Sequence, residues 1–252
     1  MAGHTREAGR SVTSRALSVL DAFDDRHPRL TLTDIARRSG LALSTTHRLV
    51  AELEQWQGLS RREDGRYEIG RKVWDLGLLA PVHRELRQVA LPFMQDVFAA
   101  TRENVHLAVL EGTAALYVER ISGHRAVPLV SRAGSRLPLH ATGVGKVLLA
   151  HAPAEVQEQV LADLPQVTPH TVTDPVRLRA QLAEVRRRGF ARTSEEMSVG
   201  TSSLAVPVLG ADRTVIAALG LVVAGARRDL VRLAPALQVA ASSIARGVQP
   251  YD

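Results

Sequence analysis

The sequence predicts an α+β protein: an N-terminal winged helix-turn-helix joined to a larger domain built on a mainly antiparallel sheet. Three observations carry this. Three amphipathic helical segments and an Asp-Gly hairpin fall within the first 70 residues. From Asn104 the apolar period shortens from about 3.6 to about 2, the spacing of strands. Those strands come as hairpins between helices rather than as regular βαβ units, which favours an antiparallel sheet.

Residues 1–10 read as a loose polar arm. Residues 11–23 carry Ala16, Leu17, Leu20 and Phe23 on one helical face. A charged loop follows to Arg29. Thr31 or Thr33 caps a second helix that stops at Gly40. Leu41, Ala42 and Leu43 form a turn, Ser44 caps a third helix to Gln57, and Gly58 ends it. Segments 59–62 and 66–69 around Asp64-Gly65 read as a hairpin, the wing.

Residues 70–80 continue as an amphipathic helix with Val73, Trp74, Leu76 and Leu78; Pro81 interrupts it, and 84–100 is helical again. Strands are expected at 105–110 and 115–120, with a third at 127–130. Helices follow at 141–151, 154–161 and 175–188, strands at 203–209 and 214–223, and a closing helix at 227–246. The expected organisation is an arm (1–10), a winged helix-turn-helix (11–70), a linker helix (71–83) and a C-terminal domain (84–252).

The 252 residues include 32 Lys plus Arg and 26 Asp plus Glu, a net charge of +6. Lys72 and Lys146 are the only lysines, so the positive charge is almost all arginine. The mild basic balance points to a polyanion partner. The absence of cysteine excludes a disulfide framework, a thiol nucleophile and sulfur-ligated metal sites. No stretch reaches the roughly 18 uncharged apolar residues of a membrane helix, and residues 1–10 lack a signal-peptide apolar core. A cytoplasmic protein is expected.

On a wheel, the third helix turns Thr46, Leu49, Val50, Leu53 and Trp56 inward and Ser44, Thr45, Arg48 and Glu52 outward. Hydroxyls and a cation at the start of the second helix of a helix-turn-helix suit the major groove of double-stranded DNA. Arg48 has the fork to bond guanine O6 and N7 together. Arg61, Arg62 and Arg66 on the hairpin suit the phosphate backbone.

With these motifs in place the sequence resembles the IclR-type family of bacterial transcription regulators. The resemblance runs in order through Ser14 to Leu17, Leu20 to Phe23, Leu41 to Val50, Gly65 to Gly70, Trp74 to Gly77, Leu137 to Lys146, Gly189-Phe190, Glu195-Glu196 and Gly200. It implies a GAF-like effector domain after the linker helix, dimers often paired into tetramers, and repression or activation of transcription, here most simply repression of a catabolic operon. It implies DNA contacts at the positions of Arg15, Thr45 and Arg48. The candidate DNA-binding set is then Arg15, Thr33, Ser44, Thr45, His47, Arg48 and Arg66.

Residues 142–146, Thr-Gly-Val-Gly-Lys, invite a phosphate-loop reading, but that motif needs glycine where His140 stands and a hydroxyl where Val147 stands. The resemblance instead places this turn over an effector, with the N–H groups of Gly143 and Val144 on an anion or carbonyl. It implies apolar walls at Leu129 and Leu137, polar positions at Thr193 and Ser203, and Gly220 and Val222 where relatives that bind small carboxylates carry hydroxyls. Without those hydroxyls, and with a glycine freeing volume, a larger and more apolar ligand is expected, an aromatic acid or amide; plain strand packing at Gly220 and Val222 is the competing explanation.

No cofactor, metal site or catalytic group is expected. The nine histidines are scattered, no H-x-x-x-H pair occurs, and no G-x-S-x-G elbow occurs. Glu195 and Glu196, expected on a strand, would point to opposite faces. The alternatives are an architectural DNA-binding protein whose C-terminal domain only oligomerises, and an enzyme with a DNA-binding appendage.

Overall fold

The computed structural model describes residues 11–24, 27–79, 83–123, 131–225 and 228–248. The arm 1–10, Pro81 and the strand expected at 127–130, with Leu129, lie outside the described residues. The chain divides into two compact units, Met1–Val82 and His83–Asp252.

In the first unit, Ser11 caps α1 (Val12–Leu20), its side chain accepting from Ser14 N–H. Val19 is the fully buried residue of this helix, whereas Leu17, expected inward, is 55% exposed. Thr31 and Asp34 form a reciprocal capping box on α2 (Leu32–Ser39), and Gly40 closes it at φ 68°. Thr33 therefore lies inside the first turn and is not the cap. α3 (Leu43–Gln55) starts one residue earlier than expected, with Ala42 at the N-cap and no side-chain cap. Ser44 does not cap this helix; it sits in the first turn, exposed.

Trp56 also departs from expectation: it follows the last helical turn, lies against Gly58 and is 44% exposed. β1 (Leu59–Arg61) and β2 (Tyr67–Ile69) pair antiparallel, and Leu30 adds two backbone hydrogen bonds to Tyr67, of 3.0 and 2.8 Å. Val19, Ile35, Leu49, Val50, Leu59 and Tyr67 form the core of this unit. Full burial of each aliphatic is worth about 1.5–3 kcal/mol, so the core fixes the pose of α3. α4 (Arg71–Leu79) follows the wing.

The second unit runs α5 (Arg84–Thr101), β3 (Asn104–Glu111), β4 (Ala114–Ile121), β5 (Arg136–Pro138), α6 (Gly143–His151), α7 (Ala154–Ala162), α8 (Pro175–Arg188), β6 (Ala191–Ser194), β7 (Thr201–Leu209), β8 (Val215–Ala224), a 3-10 turn (Arg228–Leu233) and α9 (Ala234–Gly247). The closing segment is thus two elements, where one helix was expected. The sheet order is β5-β4-β3-β8-β7-β6, and every neighbouring pair is antiparallel.

Alternation sends neighbouring residues to opposite faces. Leu204 joins Met94, Leu107, Leu219, Leu237 and Ile244 in one core. Ala205 joins Ala108, Leu139, Leu149, Leu178 and Leu182 in the other. The small residues Ala108, Ala205, Ala218 and Gly220 on that second face let α6 lie close to the sheet. The strand expected to hold Glu195 and Glu196 stops at Ser194. Glu195 instead takes φ 58° and starts a turn back to Thr201.

Candidate functional site

On α3, packing of Thr46, Leu49 and Val50 inward leaves Ser44, His47 and Arg48 exposed and Thr45 half-buried. The Thr46 hydroxyl donates to the Ala42 carbonyl at 3.1 Å, so it is occupied within the helix. Thr33 on α2 and Arg66 on the wing are exposed. Arg62 is engaged by Glu68 at 3.1 Å, and Arg61 lies 5.7 Å over the Tyr67 ring. Neither Arg48 nor Arg66 makes a side-chain ion pair among the described residues. Arg15 is half-buried on α1, with a buried Nε that lacks a partner among the described residues.

In the second unit one cavity gathers Leu137, Gly143, Val144, Thr193, Ser203, Gly220 and Val222. These are the expected effector positions, Leu129 apart. Counting its open mouth, the cavity holds about 510 Å³ of atom-free space. Its floor is the sheet. Register puts Asn104, Val222, Ser203 and Thr193 in one row across β3, β8, β7 and β6, and His106, Gly220 and Ala205 in the next.

The start of α6 forms the roof. Thr142 caps it by accepting from Gly145 N–H at 3.1 Å. That leaves the Gly143 and Val144 amides without intrahelical acceptors, at the positive end of the helix dipole. A Cβ on Gly143 would stand 2.5 Å from Ser203 Oγ, so only glycine lets the helix descend onto that hydroxyl. Ser203 and Thr193 share a hydrogen bond of 2.6 Å.

Gly220 plays a different part from the one expected. A Cβ there would lie 2.7 Å from Val144 Cγ1. Val144 thus takes space that a side chain at this position would need, while Gly220 still lines the cavity.

The walls are also more polar than the expected set. His106, Tyr117, Ser131 and Thr142 line the same cavity. Thr142 belongs to the turn read in the sequence; the sequence does not single out His106, Tyr117 and Ser131, because each lies in an apolar run or a loop and only the fold brings them together. His106 is buried and stacks edge-on to Tyr117 at 5.2 Å, with Nε2 3.3 Å from Ser131 Oγ. Burial, and then the Arg120 cation, push its pKa down to about 3. It is therefore a neutral ring at pH 7, with one donor and one acceptor nitrogen. Burial raises the Tyr117 phenol above its ordinary range.

The far wall is the turn after Glu195, which contributes Met197, Ser198 and Thr201. It is tied to α6 by Lys146, whose Nζ lies 2.7 Å from Glu196 Oε2 and 2.7 Å from Gln181 Oε1. Thr171 donates to the Glu196 carbonyl at 2.8 Å. Among the described residues no helix is long and apolar enough to cross a membrane, and no three His, Asp or Glu side chains gather as metal ligands.

An outward-facing recognition helix on one unit and a lined cavity on the other define a ligand-responsive DNA-binding regulator. The IclR helix-turn-helix model matches residues 12–63, and the model of the C-terminal domain of bacterial IclR transcriptional regulators matches residues 80–246. The chain belongs to the IclR family of bacterial transcription regulators.

It is 36% identical over 224 residues to the HTH-type transcriptional regulator XynR of Escherichia coli, covering 87% of this chain and 88% of that protein. It is 34% identical to the glycerol operon regulatory protein of Streptomyces coelicolor, covering 93% of each. Among solved structures, an IclR homolog from Microbacterium hydrocarbonoxydans complexed with 4-hydroxybenzoate superposes with TM-score 0.85 at 40% identity, covering 94% of this chain and 98% of that one.

Proposed function

We propose that this regulator is a cytoplasmic repressor of a catabolic operon whose effector is an aromatic acid or amide. The observation that carries this is the cavity: free amides of Gly143 and Val144 beside the Thr193–Ser203 hydroxyls, with Leu137, Val144 and Val222 as apolar walls. A carboxylate or carbonyl fits the amides, and a ring fits the apolar walls. The 4-hydroxybenzoate held by the Microbacterium homolog is of that class.

DNA recognition is assigned to Ser44, Thr45, His47 and Arg48 on α3, with Arg15, Thr33 and Arg66 on the flanking elements. One winged helix reads few bases, so a homodimer or homotetramer is needed to read a pseudo-palindrome. Exposed Trp74, Leu76 and Leu79 on α4, and Val12 and Leu17 on α1, offer the apolar surface for such assembly. The protein acts by binding, with no catalytic step assigned.

Titration calorimetry with glyoxylate, pyruvate and a panel of benzoates and benzamides tests the effector class. Tighter binding of a small oxoacid than of every aromatic compound refutes it. Footprinting tests the assembly. A monomer holding a single short half-site at full affinity refutes the dimer.

A further inference from the structure

Behind His106 and Ser131, which line the cavity on the β3–β4 side of the sheet, lies a second polar cluster. Asn104 is fully buried and pairs with Val222, so its side chain stands on the cavity face of the sheet. Arg120 pairs with His106 and stands on that face too. Asn104 Oδ1 accepts from Arg120 Nη2 at 3.5 Å, and Arg120 Nη1 donates to the Ser131 carbonyl at 2.6 Å. Asn104 Nδ2 and Arg120 Nε are both buried without a partner among the described residues. These are two unmet donors, one of them on a cation.

Among the described residues no carboxylate balances that cation. Among the described residues Arg120 has no ion pair, and Glu119 beside it is engaged by Arg87 at 2.9 Å. Burial, and then the Arg132 cation, hold the Arg120 pKa below the ordinary range. A buried unmet donor is costly, more so on a charged group, and an anion arriving there satisfies both donors at once. His106 and Ser131, which line the cavity, are the contact between this cluster and the open space.

We infer that the effector is a two-ended acid, with one anionic group on the α6 amides and a second on Asn104, Arg120 and His106. The row Asn104, Val222, Ser203 spaces the two ends. It runs from β3 to β7, two strand spacings or about 10 Å, with apolar Val222 between polar neighbours. A para-disposed aromatic diacid has this layout. This inference rests on the proposed effector reading for the first end and extends it to the second.

The test is calorimetry on the full-length protein with two matched pairs, benzoate against terephthalate and hexanoate against adipate. The expected result is that a diacid binds at least tenfold tighter than its monoacid. Arg120→Gln should bring that ratio near one, and Arg120→Lys should keep most of it. A purely structural role of Arg120 would weaken both members of a pair alike. Equal or tighter binding of both monoacids by the wild-type protein overturns the inference, as does a ratio that survives Arg120→Gln. If adipate binds through Arg120 and neither aromatic acid binds, the second end stands and the aromatic reading falls. If none of the four binds, both fall.

Discussion

Lys146 on α6 and Glu196 in the turn after β6 form a buried ion pair, Nζ to Oε2 2.7 Å, with side chains 1% and 7% exposed. The pair joins two walls of the cavity, because Gly143 and Val144 lie one turn before Lys146 and Met197 directly follows Glu196. Desolvation opposes any such pair, so it adds little net stability, yet removing one partner strands a charge.

Lys146→Met should therefore cost about 3–5 kcal/mol. Lys146→Met with Glu196→Leu should recover most of that loss, since no charge is then left buried. Urea unfolding of the three proteins decides the matter. A double variant as unstable as the single would show that the stranded carboxylate is not the cause.

Gly220→Ala should also destabilise. Its new Cβ would approach Val144 Cγ1 to 2.7 Å, and overpacking of this kind costs about 1–3 kcal/mol. Val144→Ala removes the opposing methyl groups. The double variant should then lose less than the sum of the singles, with a coupling of about 1 kcal/mol or more. Additive losses would mean that the two side chains do not share the space.

The contrast between these sites shows what a sequence makes legible. The fold of the first unit is written locally: Thr31-x-x-Asp34 caps α2, Gly40 ends it, and a 3.6-residue period marks the inward face of α3. Its errors are local too. Leu43 opens α3 ahead of Ser44 because the turn ends sooner than the side chains imply, and Trp56 lies past the last turn, where period no longer dictates direction. β5 and β6, three and four residues long, are too short to show alternation.

The cavity is another matter. Thr142 to Lys146 are adjacent and readable. Lys146 and Glu196 are 50 residues apart, and nothing local couples them. His106 reads as one polar residue in an apolar strand, and Arg120 as the end of the next; only strand register brings them together. Gly220 is ambiguous for the same reason, because a missing side chain leaves room that either a ligand or a neighbour can take.

His106 gives a pH dependence with a defined sign. Its pKa is 6.5 when unfolded and about 3 in the folded protein. Between these values the unfolded chain holds a proton that the folded chain does not, so stability falls as pH drops below about 6.5. The slope is at most about 1.4 kcal/mol per pH unit, or about 2–3 kcal/mol between pH 6.5 and 4.5. His140, also lowered by burial, shifts stability in the same direction in wild type and variant alike. Urea unfolding at several pH values should show a shallower slope for His106→Gln. Parallel slopes would mean that Arg120, Tyr117 and Ser131 do not keep the ring neutral.

Arg48 is the residue on which sequence-specific affinity should turn. It is exposed one turn into α3, with Leu49 and Val50 buried behind it. Its guanidinium makes no ion pair among the described residues, so no protein contact must break before it reaches DNA. A bidentate contact to guanine is worth about 1–3 kcal/mol, so Arg48→Ala should weaken specific binding by that amount and relax the preference at one base position per half-site. Arg66 sits at the tip of the wing beside Gly65, where backbone phosphate is the expected partner. Arg66→Ala should instead weaken binding to all sequences alike and reduce the salt slope by about one unit. Anisotropy titrations on wild-type and single-base-substituted sites, at several salt concentrations, separate the two. Equal effects of Arg48→Ala on specific and unrelated DNA would move base recognition off Arg48, and a salt slope left unchanged by Arg66→Ala would take the wing tip off the phosphates.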